Sequence, residues 1–267
     1  MFGPHKALYG TTRGGGTQNG GTIYRLAPPI APGAVWTEQT LYRFPGYSGD
    51  GQEPAGTLVV SGNGVIYGAT EFGGLDAGTI FQLTPPTIQG ASWTETILYE
   101  FGGQSGDSAG PTGLVTGPSG VLYGTAIGSA DAQGCPSGCG TVFQLSPPES
   151  PGGPGTETIL HNFTGAATGD GSNPNSVPLI GPGGVLYGTT SGGGANFLGT
   201  IYEMLPPSSQ GGNCAEATLY SFTGGADGQV PIAVTSGPDG NLYGTTSIVP
   251  AKGGATKPGT VFQLMLK

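Results

Sequence analysis

Four aspartates recur at similar spacing and are the residues of this sequence most able to bind a ligand. Each has a glycine directly beside it and a proline four residues after it. Carboxylates gathered on one face could bind sugar hydroxyls or a hard cation such as calcium. Asp beside Gly also stabilises tight turns, which is the simpler interpretation. The aspartates are Asp50, Asp107, Asp170 and Asp227, and the prolines are Pro54, Pro111, Pro174 and Pro231.

Aromatic and acidic residues recur at a second set of positions. Trp36 and Trp93 occupy equivalent places in two repeats, where an exposed indole could stack on a sugar ring or cover the outer edge of a sheet. Paired catalytic carboxylates stand at unlike positions with different environments, whereas the nearby glutamates are one position copied four times. We therefore interpret them as charges that discourage pairing at a strand edge. These glutamates are Glu38, Glu95, Glu157 and Glu216.

Histidine and cysteine supply few candidate nucleophiles or ligands. His5 lies in a terminal turn, and His161 replaces a tyrosine in register, so we expect it to be a packed strand residue. Cys135 and Cys139 stand in one Gly/Pro loop and predict a local disulfide in an oxidising compartment, with Cys214 as a free thiol. Metal binding is the weaker alternative, because this pair falls two ligands short of a structural zinc site. The sequence thus predicts no catalytic residue and no cofactor, with calcium as the candidate cation.

Composition limits the partners. The 267 residues include 56 Gly and 24 Pro, only 9% are charged, and the net charge is -9. Seven basic residues among sixteen acids give no footprint for nucleic acid or for an anionic membrane. No apolar run is long enough to insert into a bilayer, and the N-terminus lacks the apolar core of a signal peptide. These features fit either a mature or truncated form of a secreted protein or a cytosolic protein.

A repeat that returns five times must position these residues. It is marked by a Tyr-Gly pair at intervals of 56 to 64 residues, and each full copy contains four short runs, which we call a to d. Run a covers 57–60, 113–116, 177–180 and 232–235; run b holds Tyr9, Tyr67, Tyr123, Tyr187 and Tyr243; run c starts at Gly21, Gly78, Gly140, Gly199 and Gly259; run d covers 37–44, 94–101, 156–163 and 215–222.

Four short antiparallel strands in each repeat predict an all-β fold, a five-bladed β-propeller of four-stranded antiparallel blades. We expect a single domain over 1–267, with blades at 1–48, 49–105, 106–168, 169–226 and 227–267. A β-solenoid is the structural alternative. The first run a and the last run d are missing, so the first and last blades are incomplete. In such a meander the glycine-rich b–c loops and the aspartate-bearing d–a loops emerge on one face.

At these runs the sequence resembles the GloVer (Gloeobacter and Verrucomicrobia) tandem-repeat proteins. The last repeat carries the resemblance best, with Gly-Pro-Asp-Gly-Asn-Leu-Tyr-Gly-Thr-Thr at 237–246 and Gly-Thr-Val-Phe-Gln-Leu at 259–264. The resemblance covers nearly the whole chain and implies a secreted or surface-anchored bacterial protein without an established activity. The streptogramin lyase propellers are more faintly similar. Their catalytic histidine and bound metal have no matching context at His5 or His161.

These patterns favour a secreted or cell-surface binding or scaffold module without catalytic activity. Carbohydrate, in particular a polysaccharide, is the expected ligand of the repeated loops, since several equivalent weak sites favour avidity for polymers. One alternative is a structural surface or filament subunit that self-associates by strand addition at its incomplete blades. The other is a propeller lyase or hydrolase with an axial site.

Overall fold

The structure is a computed structural model that describes residues 1–46, 49–88, 90–102, 107–129, 139–146, 148, 153–205, 214–247, 249–250 and 256–266. Its regular elements are short strands joined by turns and loops. The strands are β1 (Leu8–Thr12), β2 (Thr22–Ala27), β3 (Thr37–Arg43), β4 (Gly51–Val60), β5 (Ile66–Gly73), β6 (Thr79–Thr84), β7 (Thr94–Glu100), β8 (Ser108–Thr116), β9 (Leu122–Ser129), β10 (Thr141–Ser146), β11 (Thr156–Asn162), β12 (Gly171–Pro174), β13 (Leu179–Ile180), β14 (Leu186–Gly193), β15 (Thr200–Leu205), β16 (Ala215–Ser221), β17 (Pro231–Ser236), β18 (Leu242–Thr246), β19 (Val249–Pro250), β20 (Thr256–Lys257) and β21 (Val261–Leu264). Single 3-10 turns cover Pro4–Lys6, Thr17–Asn19, Pro118–Gly120, Ala166–Thr168 and Pro182–Gly184. No helix in the described ranges is long and apolar enough to cross a bilayer.

The strands form five successive antiparallel sheets that follow the sequence repeats. The sheets are β1-β2-β3, β4-β5-β6-β7, β8-β9-β10-β11, β12-β14-β15-β16 with β13 also on β14, and β17-β18-β21. β19 and β20 form a separate two-stranded pair. The first sheet thus holds runs b, c and d, and the last holds runs a, b and c. The predicted all-β class is confirmed.

Run a extends further than the sequence pattern predicts. β4 begins at Gly51 because Gly51 pairs with Gly73 at the end of β5, beside the Asp-Gly loop. A register shift between Ala55 and Val59 separates this early segment from the predicted run. In the fourth repeat the two segments are distinct strands, β12 and β13, and both pair with β14.

Aromatic rings join each sheet to the next. The phenylalanine that ends run d packs edge-on against the aromatic residue of the following c strand, with ring centroids 5.2 to 5.3 Å apart. Such pairs add stabilisation beyond the area that they bury. The four pairs are Phe44 with Phe81, Phe101 with Phe143, Phe163 with Tyr202, and Phe222 with Phe262. Each lies in or beside one of four hydrophobic clusters between successive sheets.

Ring packing within a sheet explains the glycine of run b. In the second repeat the ring of Phe81 lies over Gly68, and a Cβ atom at Gly68 would overlap that ring. The same relation holds between Phe143 and Gly124 in the third repeat. Only glycine leaves room for the aromatic residue of the neighbouring strand.

A second glycine, at the start of run c, receives the proline of the next repeat. Gly78 has a φ of +96°, and a Cβ built on it would lie 2.6 Å from Cδ of Pro111. The residue before that proline, Gly110, has a φ of +62° and donates its N–H to the carbonyl oxygen of Ala77 at 2.8 Å. Equivalent N–H donors in the other interfaces are Glu53 to Gly20, Asn173 to Cys139, and Val230 to Leu198. The fixed spacing between aspartate and proline therefore links each repeat to the one before it.

The two glycine-bearing loops share a face, as the meander topology predicts. The N–H of Gly74 in a b–c loop donates to the carbonyl oxygen of Asp50 in a d–a loop at 3.0 Å. Gly194 donates to Asp170 in the same way at 2.6 Å. We call this side of the molecule the loop face.

The c strand of the last sheet is more exposed than the c strands of the other four sheets. Val261, on the c strand of the last sheet, is 81% exposed. The residues at this position in the other four c strands, Ile23, Ile80, Val142 and Ile201, are 0 to 1% exposed because the following sheet covers them. The a-type strands of neighbouring sheets lie against each other, β4 on β8 and β13 on β17, which makes the fold propeller-like. Closure into a five-bladed ring and the exact blade limits stay predictions.

Candidate functional site

The recurrent aspartates lie between neighbouring sheets, and each contacts the side chain of the d strand that precedes it. Three tyrosine hydroxyls donate to the carboxylates, and in the third repeat a histidine takes the tyrosine's place. The contacts are Tyr42 with Asp50 at 2.8 Å, Tyr99 with Asp107 at 3.0 Å, His161 Nε2 with Asp170 at 3.1 Å, and Tyr220 with Asp227 at 2.9 Å. One side-chain contact is thus copied, with one substitution, four times.

Backbone N–H groups bind the same carboxylates. Asp107 accepts from the N–H of Ser108 at 2.9 Å and of Gly102 at 2.8 Å. These bonds support the interpretation that the aspartates stabilise tight turns, since they fix the loop that joins run d to run a. Asp50 and Asp107 are 9% and 5% exposed. The structure places each of the four aspartates in its own cluster between sheets, and they do not meet as one group among the described residues.

A glutamate from the following d strand completes the first three clusters. Glu157 accepts from the hydroxyl of Ser108 at 2.9 Å, and its Oε2 lies 3.1 Å from the hydroxyl oxygen of Tyr99. Burial and a hydrogen bond with Asp107 raise the pKa of Glu157 to about 8. Burial and the charge of Asp50 raise the pKa of Glu95 to about 7. These carboxyls carry protons to a higher pH than exposed glutamates do.

The interpretation of the recurrent glutamates as strand-edge charges is therefore wrong for most of them. Glu38 is exposed, as that interpretation requires. Glu95, Glu157 and Glu216 are partly buried and face the aspartate at the start of their own repeat. The physical reason is that the preceding sheet covers this side of the d strand, so that an expected edge position lies in an interface.

His161, Asp170 and Glu216 form the cluster in the described chain best suited to a metal ion. One ligand atom of each lies within 4.8 Å of the others. Burial opposes ionisation of Asp170, but hydrogen bonds from His161 and from the N–H of Thr164 lower its pKa overall. Burial and the Asp170 charge raise the pKa of Glu216. Imidazole and carboxylate suit divalent cations, yet tyrosine holds the same position in the neighbouring interfaces, so the geometry needs no ion.

A pocket of about 360 Å³ opens on the loop face, between the second, third and fourth repeats. Its lining includes Glu71 and Phe72 at the end of β5, Asp76 in the b–c loop, Ile127 on β9 and Asn173 on β12. Phe72 and Ile127 are 44% and 42% exposed. Asp76 and Asn173 have φ values of 71° and 55°, a conformation that these residue types tolerate. An exposed ring bordered by carboxylate and amide groups can hold a flat polar ligand.

An ion-pair network from the first repeat borders this pocket. Nη2 of Arg13 lies 2.8 Å from Oε2 of Glu71, and Nε of Arg13 lies 2.7 Å from Oε2 of Glu53. Exposed pairs of this kind contribute little to stability. The ion pairs instead position a side chain of the pocket, because Arg13 limits the orientations open to Glu71.

Two further pockets run along the a-type strands. One of about 480 Å³ lies between β4 and β8, and one of about 400 Å³ lies between β8, β13 and β17. Leu58, Leu114, Val177 and Val234 are among the aliphatic residues of their walls. Tyr67 is the one titratable side chain among the described lining residues.

Comparison with known sequences identifies the repeat. Residues 1–150 and 128–267 both match the Gloeobacter/Verrucomicrobia repeat. The chain belongs to this repeat family. The resemblance seen in the sequence is thereby confirmed. No curated protein sequence matches this repeat protein.

The fold of this repeat protein is similar to that of a solved structure. That structure is a protein of Thermus thermophilus described as a putative oxidoreductase (glucose dehydrogenase), 18% identical, with a TM-score of 0.53. The match covers 96% of this chain and 78% of that chain. At this identity the likeness concerns the fold alone.

The two tryptophans of the repeat protein have different surroundings. Trp36 is 46% exposed. Trp93 is partly buried against the hydrophobic cluster between the first and second sheets. Trp93 fits the expected role of an indole that covers the edge of a sheet, whereas the ring of Trp36 is accessible to a ligand.

The cysteine expectations fall partly outside the described residues. Cys139 takes part in a disulfide bond. Cys214 is a free thiol, as expected, and burial raises its pKa. Cys135 lies outside the described residues, so its pairing with Cys139 stays a prediction.

The residues of the loop-face pocket were missed by sequence reasoning. In the sequence pattern Glu71, Phe72 and Asp76 fall in the variable segment between runs b and c, where no repeat pattern marks them, although β5 extends over Glu71 and Phe72 in the structure. One signal was available, since a bulky aromatic residue such as Phe72 or Phe197 is unusual in a glycine-rich loop. Both rings are exposed in the structure, at 44% and 73%.

Proposed function

We propose that this repeat protein is a secreted or cell-surface binding module that recognises carbohydrate, without catalysis, at the loop-face pocket. The observation that carries the proposal is the exposed ring of Phe72 beside the side chains of Glu71, Asp76 and Asn173. An aromatic ring can stack on the apolar face of a sugar, while carboxylates and amides bind its hydroxyl groups. The five-bladed propeller is the scaffold that we propose for this pocket.

Repetition on the loop face supports a polymeric ligand. Phe197, in the b–c loop of the fourth repeat, is a second exposed ring on the loop face. Two weak sites on one rigid array bind a polysaccharide more tightly than either site alone. The expected ligand is therefore an oligosaccharide that spans more than one repeat.

An oxidising location is supported by Cys139. Its disulfide bond persists in extracytoplasmic compartments and is rare in the cytosol. The secreted or surface location therefore fits the cysteine chemistry of the chain as well as its polar, weakly charged composition.

A glycan array probed with the purified chain tests the proposal, followed by calorimetric titration of the best oligosaccharide. Phe72→Ala should weaken binding about tenfold or more, because a lost stacking contact of ~1.4 kcal/mol corresponds to that factor. Asp76→Asn keeps a residue that tolerates the φ of 71° and should also weaken binding. Repeating the titration in EDTA and in calcium tests whether a cation takes part.

Phe2→Ala is the matched control, because Phe2 is 70% exposed but is not part of the pocket lining. It should bind sugar as the unchanged chain does. Absence of any sugar binding would reject carbohydrate as the ligand. Sugar binding that Phe72→Ala and Asp76→Asn leave unchanged would reject this pocket as the site.

A further inference from the structure

The interface between the third and fourth sheets differs from the others in carrying a histidine. His161 lies on β11, Asp170 lies in the loop before β12, and Glu216 lies on β16. One ligand atom of each lies within 4.8 Å of the others, and Nε2 of His161 is 3.1 Å from Oδ2 of Asp170. All three side chains are partly exposed, so a dissolved ion can reach them.

Glu216 lacks the hydrogen-bond partners that hold the equivalent glutamate in the preceding interface. There Glu157 lies 2.9 Å from the hydroxyl oxygen of Ser108 and 3.1 Å from that of Tyr99. In the interface of Glu216, a glycine and a histidine replace that serine and that tyrosine. Among the described residues, the hydroxyl group of Thr218 donates to Glu216 over a long distance of 3.5 Å. The carboxylate of Glu216 is therefore more available to a new partner than that of Glu157.

The charge distribution along the chain independently favours a cation at this cluster. Residues 44–251 contain no lysine and no arginine, yet every acidic residue of the chain except Glu38 lies in this stretch. The second, third and fourth repeats therefore supply no basic side chain other than His161 to balance Asp170 and Glu216. A divalent cation would balance both carboxylates at once.

The types of ligand atom indicate which cation fits. One imidazole nitrogen with two carboxylate oxygens suits Zn²⁺ better than Ca²⁺, which takes six to eight oxygen ligands. Bonds of about 2.1 Å to a tetrahedral Zn²⁺ place its ligand atoms about 3.4 Å apart. The distance between His161 and Asp170 is already in this range, and a side-chain movement of about 1.4 Å or less brings Glu216 into it. The tyrosine-bearing interfaces fold without such a donor set, so the histidine adds a ligand and is not required by the fold.

We propose that His161, Asp170 and Glu216 bind one Zn²⁺ ion between the third and fourth repeats. The imidazole is neutral, with its proton on Nδ1 and with Nε2 as the ligand, and each carboxylate supplies one oxygen. The N–H groups of Thr164 and Gly171 donate to Asp170 at 2.8 and 2.6 Å and hold its carboxylate in place. Water fills the fourth position of a zinc ion that has three protein ligands. The proposal does not rest on the carbohydrate site.

Calorimetric titration of Zn²⁺ tests the proposal on the full chain, purified without a histidine tag and freed of metal with EDTA. We expect saturable binding of one ion per chain, which an equal concentration of Ca²⁺ does not prevent. Because the site exists only in the folded chain, Zn²⁺ should also raise the melting temperature. X-ray absorption at the zinc edge should show nitrogen and oxygen ligands at about 2.0 to 2.2 Å and no sulfur.

Substitutions locate the ion. His161→Tyr installs the residue of the neighbouring interfaces, so this variant should fold but lose both the bound ion and the rise in melting temperature. Glu216→Gln should weaken Zn²⁺ binding at least tenfold. Two controls remove the other side chains most able to bind zinc: Cys214→Ser removes the free thiol, and His5→Ala removes an exposed histidine. Both controls should bind Zn²⁺ as the unchanged chain does.

A converse substitution should create a second site. In the interface between the first and second sheets, Asp50, Gly51 and Glu95 occupy the equivalent positions and Tyr42 stands in place of the histidine. A folded Tyr42→His protein should therefore bind two Zn²⁺ ions. Absence of Zn²⁺ binding by the unchanged chain, or equal binding by His161→Tyr, would overturn the proposal. A count of one ion in folded Tyr42→His would also contradict it, since histidine would then not be the residue that confers binding.

Discussion

Asp107 and Glu157 of the third repeat share the hydroxyl group of Tyr99, which belongs to the second repeat. That oxygen lies 3.0 Å from Oδ1 of Asp107 and 3.1 Å from Oε2 of Glu157. A phenol carries one proton and cannot donate to both carboxylates. The pKa of Glu157, raised to about 8 by burial and by its hydrogen bond with Asp107, means that Glu157 holds a proton at neutral pH. One interface between repeats therefore depends on a neutral carboxylic acid.

This arrangement predicts a loss of stability at alkaline pH. The pKa of Glu157 in the folded chain is about 8, above the usual 4.5 expected after unfolding. The folded state then binds more protons, so its advantage is complete below about 4.5 and is lost as the pH rises through about 8. Glu95 acts in the same direction, with a pKa of about 7. We expect the melting temperature, measured by calorimetry, to fall between pH 5 and pH 9.

Glu157→Gln isolates the contribution of this carboxyl group. The amide cannot ionise, so the variant should lose less stability between pH 5 and pH 9 than the unchanged chain. The difference in unfolding free energy at pH 9 should be on the order of 1 to 3 kcal/mol, given partial exposure of the site. Glu100→Gln, an exposed glutamate on the d strand of the second repeat, is the control and should follow the unchanged chain. Parallel pH profiles for all three proteins would contradict the prediction.

The aromatic pairs between sheets predict a large cost for removing one ring. Phe101 is fully buried at 0% exposure and contacts Phe143 with ring centroids 5.3 Å apart. Phe101→Ala should lower the unfolding free energy by about 3 to 5 kcal/mol in urea titrations. Phe197→Ala removes a ring that is 73% exposed and should change it by less than about 0.5 kcal/mol. Equal effects of the two changes would show that the core does not lie between the sheets.

Gly68 lies beneath the ring of Phe81, so a larger residue at this position should lower the stability of the folded chain. Gly68→Ala would place a methyl group against that ring and should destabilise the chain by about 1 to 3 kcal/mol or more. Gly62→Ala is the matched control, because a Cβ there meets no atom within 4 Å. Thermal unfolding of both variants checks the difference. A Gly68→Ala protein as stable as the control would mean that Phe81 does not lie over this strand.

The repeat pattern predicts most of the fold because the same contacts are copied at fixed spacing. Gly68 and Phe81 keep their relation in each repeat, so tyrosine-glycine and glycine-threonine motifs mark the strands directly. The sequence does not show which side of a d strand the preceding sheet covers. For that reason Glu157 was interpreted as an edge charge, although it lies in an interface.

The candidate site was harder to predict than the fold. The four aspartates were correctly singled out, but their tyrosine and glutamate partners come from two different repeats. Phe72 lies at the end of β5 and Asp76 in the b–c loop, and no other repeat has the same residue types at these two positions. The backbone conformations of Asp76 and Asn173 recur at Phe197 and Val230, so it is the side chains peculiar to single repeats that the repeat pattern does not mark.

The substitution of histidine for tyrosine in the third repeat gives the last prediction. His161 faces Val142 on β10 and contacts Phe163 edge-on, as Tyr99 contacts Phe101. If its role is only to hold Asp170, His161→Tyr should fold with unchanged or higher stability, because tyrosine donates the equivalent bond in the other interfaces. His161→Phe keeps the ring but removes the donor and should cost about 0.5 to 1.5 kcal/mol. Thermal unfolding of both variants at pH 7 separates the two effects. A destabilised His161→Tyr protein would show that the imidazole does something a phenol cannot, and the nearby carboxylate of Glu216 would then be the first group to substitute.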